Sequence, residues 1–326
     1  MREDRREQAR DAAPGAHPGA PAFRAPFPTD RLPPVAEALQ RVLAATGHPP
    51  VAVEEVPLAE ALGRVLAKPV YAPEDIPAFH RATVDGYAVR SQDLRGTEPG
   101  RPARLRLVGR VAIGRPAPVP VGPGEAVAVP TGGMLPPGAD AVVMFEHTSV
   151  EGEWILVHRF AGPGDNVIAQ GEDAAAGLAL MVPGRRLRPA DLGALAGAGI
   201  TRVPVARRPV VSLLLTGDEL VAPGATPEPG QIRDINGTAL FAALKEDGAD
   251  PLPPVYVRDD LAAARSALQQ ALEAADLVLI SGGSSVGERD LTAVLAAELP
   301  PPGVVLHGVA LKPGKPTLFA MAGRQP

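Results

Sequence analysis

Residues 276–290 read DLVLISGGSSVGERD. Leu277–Ile280 is a short apolar run with no helical period, and Ser281–Gly287 is a turn of glycines and serines. Asp290–Leu299 then puts Leu291, Val294 and Leu295 on one side of a helix. Strand, glycine turn and helix form the unit with which an α/β sheet offers backbone N–H groups to an anion. Glycine lets the backbone approach a ligand closely. No Walker A lysine follows these glycines, so the unit alone specifies no nucleotide.

The chain around it repeats the theme. Val210–Leu215 is an apolar strand, Asn236–Glu246 a helix, Pro254–Val257 a short strand and Asp260–Glu273 a helix with Leu261, Ala264, Leu268 and Leu272 on one face. Strands at Gly303–Ala310 and Pro316–Met321 follow. Alternating strands and helices predict a parallel sheet with helices on both faces and ligands beyond the strands' carboxyl ends. Those ends carry Thr216-Gly217-Asp218-Glu219, Arg258-Asp259-Asp260 and Ser281–Gly287. One of Asp259 and Asp260 is expected to cap its helix, leaving the other for a metal or ligand. Asp234, before helix Asn236–Glu246, is expected to cap it in the same way, and Asp290 stands at a helix start, where a carboxylate suits the dipole. Lys312 and Lys315 bracket a turn, readable as a solvated turn or as a clamp for phosphate or another oxyanion. Several carboxylates beside a phosphate-like site suggest Mg²⁺.

Upstream the pattern differs. Residues 1–32 lack apolar periodicity and read as a disordered tail. Residues 33–52 hold an amphipathic helix with Val35, Leu39, Val42 and Leu43 on one face, stopped by Gly47 and expected to pack on the α/β domain. Residues 53–71 and 174–207 are expected to form a small linking α+β domain. Residues 72–173 read as a β-rich domain of short strands between Gly/Pro turns, and 208–326 as the α/β domain.

Composition narrows the function. Aromatics are 3%, too few for base-stacking platforms, and the net charge of −5 comes with no long basic run, which argues against nucleic acid or an anionic membrane as partner. The chain has no Cys, which excludes thiolate metal sites and cysteine nucleophiles. With no membrane-length apolar run and no signal peptide pattern, a cytoplasmic protein is expected. The six His show no ligand spacing.

DGYAV at 85–89, PTGGMLPPGADAVV at 130–143, GED at 171–173, TGDEL at 216–220, GQIRDIN at 230–236, SGGSSVGERD at 281–290 and KPGKP at 312–316 occur in this order. Together they resemble the molybdopterin molybdenumtransferase (MoeA) family, whose eukaryotic relative is the gephyrin E-domain. The resemblance runs from about Pro33 onward. Thr83-Val84 stands where many members have a small residue and Met, and Ser284 where Val is common.

The resemblance implies a MogA-like, molybdopterin-binding α/β domain beside the β-rich part. It implies an enzyme that takes adenylylated molybdopterin and molybdate as substrates, uses Mg²⁺, and releases AMP as molybdenum enters the dithiolene. Catalytic roles would fall to Asp85, Glu219 and Asp290. Substrate would be held by Thr131, Gly282, Gly283, Ser284, Ser285, Lys312, Lys315 and Asp259, and metal by Asp173, Asp260 and Asp290. It implies a homodimer, and a possible partner in the adenylyltransferase of the same pathway. It also implies a GLPGNP-type loop, a helix and a small C-terminal β domain beyond Pro326, which this sequence lacks. Two other readings stay open: a molybdopterin adenylyltransferase, and a non-catalytic molybdopterin-binding scaffold.

Overall fold

The computed structural model describes residues 32–47, 51–98, 100–282 and 291–323. The expectations for residues 1–31 and for Gly283, Ser284, Ser285 and Asp290 lie outside the described residues. The chain divides into two compact units, one of residues 51–207 and one of residues 1–50 with 208–326.

The first unit is built on a six-stranded sheet ordered 141–144, 86–89, 125–129, 103–110, 154–157, 148–151. Its pairings are antiparallel except that 103–110 runs parallel to 125–129. Period-two alternation sends Tyr87, Val89, Ala126, Ala128, Ala141 and Val143 into one core, and Ala88, Val127, Val129 and Val142 into another. Strands 86–89, 125–129 and 141–144 are therefore buried on both faces, which explains their nearly continuous apolar sequence, whereas 103–110 and 148–151 are polar and more exposed. Gly86 is required where it stands, because a Cβ there would lie 2.1 Å from the Val143 carbonyl oxygen.

The rest of this unit pairs Val53–Pro57 with Arg202–Ala206 and Val70–Tyr71 with Ala179–Met181. Helix Pro189–Gly197 closes a separate core of Val56, Leu66, Leu187, Leu195, Val203 and Val205. Pro189 opens the helix at a position where its missing N–H costs nothing. Asp191, in the first turn of this helix, is buried.

The second unit centres on Val210–Thr216, with Leu277–Ser281 parallel to it on one side. On the other side lie Asp250–Pro251 and Val255–Val257, also parallel. Pro253 and Pro254 separate these two short pieces, since proline cannot donate to the ladder. Helices Asn236–Asp247, Leu261–Ala274 and Leu291–Ala297 complete the α/β pattern. The last two strands depart from the expected parallel sheet: Gly303–His307 and Leu318–Met321 pair antiparallel with each other as a separate ribbon. A tight return after Gly314 permits only that sense.

Helix Val35–Thr46 ends at Gly47, at φ 63°. It packs on this ribbon, but of the stripe expected of it only Val42 does so. Ala38 and Val42 meet Leu306, Val309 and Phe319, whereas Val35, Leu39 and Leu43 are half exposed. A small Ala lets the helix approach the ribbon closely. Among the described residues no helix is long and apolar enough to cross a membrane.

Candidate functional site

In the first unit the sheet register creates the site. Asp85 immediately precedes strand 86–89, Thr131 follows strand 125–129 by one proline, and Gly86 pairs with Val129. The two residues therefore stand side by side. Asp85 Oδ1 accepts from the Thr131 backbone N–H at 2.8 Å and from Thr131 Oγ1 at 3.2 Å. Both are exposed. The turn holding Thr131 is fixed by Gly132 N–H donating to the Ala82 carbonyl and Ala82 N–H donating to the Gly133 carbonyl, both through backbone groups.

The short strand Arg81–Ala82 also pairs with Val167–Ile168, the entry to the GED loop. Asp173 in that loop donates its backbone N–H to the Ile76 carbonyl, and its exposed carboxylate faces Arg81 Nη2 at 4.0 Å. A clasp secures the loop: Asp75 accepts from Ala176 N–H and Gln170 Nε2, both at 2.9 Å. The Ala176 backbone bond, then the Gln170 bond, hold the Asp75 carboxyl below its usual range. His80 Nδ1 accepts from the Gln170 N–H, so any ring N–H of neutral His80 is on Nε2. Asp85, Thr131 and Asp173 are thus carried by adjoining segments of one unit. A cleft of about 510 Å³ in the same unit is lined by Glu146, His147, His158, Arg159 and Phe160 and contains none of them.

In the second unit three strand ends converge. Gly217 N–H donates to the Val257 carbonyl at 3.3 Å, and Asp259 N–H donates to Asp218 Oδ1 at 3.3 Å. Thr216 Oγ1 donates to the Ser281 carbonyl at 3.4 Å. Gly282 has φ +104°, and a Cβ there would lie 2.1 Å from the Thr216 carbonyl oxygen. Glu219 and Asp259 are exposed at this edge. Asp260 is the cap of helix Leu261–Ala274, its Oδ1 accepting from Ala263 N–H at 2.8 Å. Lys312 and Lys315 flank Gly314 in an exposed turn of the ribbon.

The partners of three supporting residues escaped the sequence reading. Asn236 Nδ2 donates to Ser281 Oγ at 3.0 Å, holding the start of the glycine turn. Asp234, expected to cap its helix, accepts from Gly237 N–H in the first turn of that helix at 2.9 Å; it is also buried and accepts from the Tyr256 hydroxyl at 3.3 Å, a partner that was not expected. Burial, and next the Asp234 charge, push the Tyr256 hydroxyl above its usual range. Arg81 is the third. GQIRDIN placed Asp234 and Asn236 in a motif, but only the fold supplies their partners. Among the described residues no group of three or more His, Asp or Glu side chains is arranged to hold a metal ion. Of the metal set Asp173, Asp260 and Asp290, the first faces Arg81, the second caps a helix and the third lies outside the described residues.

Residues 33–199 match the MoeA N-terminal region (domain I and II), and residues 212–325 match a probable molybdopterin binding domain. The molybdopterin molybdenumtransferase of Bacillus subtilis (strain 168) is 35% identical over 257 residues, covering 78% of this chain and 60% of that protein. The Synechococcus elongatus protein of the same name is 37% identical over 289 residues, covering 87% of this chain and 71% of that protein. A crystal structure of the molybdopterin biosynthesis MoeA protein from Pyrococcus horikoshii superimposes with a TM-score of 0.76 at 39% identity, over 90% of this chain and 72% of that one. The chain spans 60% of the length of the Bacillus relative. Two profile matches in register and relatives above 30% identity lead to one conclusion: the chain belongs to the MoeA family.

Proposed function

We propose that this chain acts in molybdenum cofactor assembly, inserting molybdenum from molybdate into the dithiolene of adenylylated molybdopterin with release of AMP. The observation that carries the reading is the meeting of Asp218, Asp259 and Ser281–Gly282 at the carboxyl ends of three parallel strands, where α/β sheets bind ligands. The names of the relatives supply the substrate class.

The chemistry suits these residues. Cleavage of a phosphoanhydride needs positioning and charge neutralisation more than a strong nucleophile. Backbone N–H groups around Gly282 and the ammonium groups of Lys312 and Lys315 are assigned to phosphate and molybdate oxygens. Thr131 is assigned a hydroxyl contact to substrate and Asp85 a catalytic carboxylate, and Glu219 with Asp290 would handle protons at the anhydride. The dithiolene sulfurs belong to the substrate, so a chain without Cys can perform the reaction.

Asp218 and Asp259 are both exposed at neighbouring strand ends, joined by the Asp259 backbone N–H and Asp218 Oδ1, and carboxylate oxygen is the donor class that Mg²⁺ takes together with substrate phosphates. Asp259, whose carboxylate takes no part in that bond, fits Mg²⁺ better than Asp260, whose carboxylate is engaged as a cap. Bound Mg²⁺ would neutralise phosphate charge as the anhydride breaks. We further propose a cytoplasmic homodimer that receives its substrate from the adenylyltransferase of the pathway.

The test is AMP release from purified adenylylated molybdopterin by the whole chain, with and without molybdate and Mg²⁺. Molybdate-dependent release is the expected result. Consumption of ATP instead would identify an adenylyltransferase, and binding of molybdopterin without AMP release would identify a scaffold.

A further inference from the structure

Three segments carry the site residues of the first unit: Pro73–Asp85, Thr131–Pro137 and Asn166–Asp173. Between them they contain Glu74, Asp75, Asp85, Glu172 and Asp173, and a single Lys or Arg, which is Arg81. An anionic ligand at this edge would face carboxylates unless Arg81 met it.

The fold puts Arg81 at the junction of all three segments. Its strand pairs with Val167–Ile168 on one side, and Arg81 bridges Met134 on the other, three residues after Thr131. Ala82, the next residue, exchanges backbone bonds with Gly132 and Gly133. The side chain is only loosely engaged. Arg81 Nη2 lies 4.0 Å from Asp173 Oδ2, beyond hydrogen-bond length, and both side chains are partly exposed. Arg81 Nε is buried and has no hydrogen-bond partner among the described residues. A buried donor without an acceptor is costly and calls for a reason.

We infer that Arg81 is a binding residue for a tetrahedral oxyanion at the Asp85–Thr131 edge. Rotation of its side chain away from Asp173 would bring Nε and one Nη to bear together on two oxygens of a phosphate or molybdate group. This is the paired donation that guanidinium offers and ammonium does not. The inference rests on the proposed function only for which oxyanion is met in the cell; the recognition chemistry is common to phosphate and molybdate.

The test measures anion binding apart from turnover. Inorganic phosphate and sodium molybdate are titrated separately into the full chain, and into its Arg81→Gln and Arg81→Lys variants, by calorimetry. Arg81→Gln should weaken at least one of the two about tenfold without lowering the melting temperature, and Arg81→Lys should weaken it less. The anion affected names the source. Equal affinity of wild type and Arg81→Gln for both anions, or binding of neither by wild type, overturns the inference. So does a loss of binding that follows a fall in melting temperature. AMP release by wild type is read in parallel: its absence with intact, Arg81-dependent anion binding would sink the proposed function and leave this assignment standing.

Discussion

Asp85 Oδ1 accepts two hydrogen bonds from one residue, the backbone N–H of Thr131 at 2.8 Å and its hydroxyl at 3.2 Å. One oxygen is thereby fixed and the other is left to face solvent or ligand. Asp85→Asn can keep the amide oxygen on Thr131 while removing the charge. We expect that variant to melt close to wild type and to lose about 100-fold in AMP release, the scale of a displaced proton-transfer group. Thr131→Ala keeps the backbone bond and loses only the hydroxyl, so about tenfold is expected. Equal rates for Asp85→Asn and wild type would remove Asp85 from the chemistry.

Gly86, beside Asp85, tests the scaffold rather than the chemistry. A methyl group there would overlap the Val143 carbonyl of edge strand 141–144. Strands 86–89, 125–129 and 141–144 are buried on both faces and have little room to shift. Gly86→Ala should cost about 3 kcal/mol, the upper range of ordinary overpacking, seen as a lower urea midpoint. A midpoint near that of wild type would mean that strands 86–89 and 141–144 can separate locally.

Much of this was legible in the sequence because it is local. Strand Val210–Thr216 and helix Val35–Thr46 follow from period and punctuation. What escaped is non-local. The parallel pairing of 103–110 with 125–129 depends on a chain path that no local pattern encodes. The face of helix Val35–Thr46 was right at Val42 and wrong at Val35, Leu39 and Leu43, because large side chains dominate a periodicity count, while close packing chose Ala38. Asp85 and Thr131 were suspected only through the family resemblance, since 46 residues separate them and the register alone joins them. Arg81 carried no signal, being one arginine in a chain rich in them.

Asp191 gives a pH prediction. It is buried, receives Arg185 Nη2 at 2.6 Å, and accepts the Arg188 backbone N–H at 2.9 Å. The Arg185 bond, then the Arg188 backbone bond, hold its carboxyl far below the usual carboxylate range. A lowered folded-state value means that the unfolded chain takes up the proton first. The stabilisation is therefore complete above about pH 4 and is lost as pH falls from there through the folded value. The advantage of wild type over Asp191→Asn in urea unfolding should be constant from pH 7 to about pH 5 and shrink below about pH 4. An advantage that grows on acidification would contradict the assigned pairing.

Asp259 and Asp260 are adjacent, chemically identical and given different work by the fold. Asp260 Oδ1 accepts from Ala263 N–H and so satisfies one of the free donors of helix Leu261–Ala274. Asp259 meets Asp218 through its backbone N–H, which leaves its exposed carboxylate available at the strand end. The two alanine variants should therefore separate stability from activity. Asp260→Ala should lose about 1 kcal/mol of stability, the usual worth of an N-cap, with AMP release reduced only modestly. Asp259→Ala should stay within about 0.5 kcal/mol of wild type, as exposed positions do. Its AMP release should fall by about 100-fold and should need more Mg²⁺ to reach half its maximum. If Asp260→Ala shows the shifted Mg²⁺ requirement and Asp259→Ala does not, the roles are exchanged, and the cap would have to share its second oxygen with the metal.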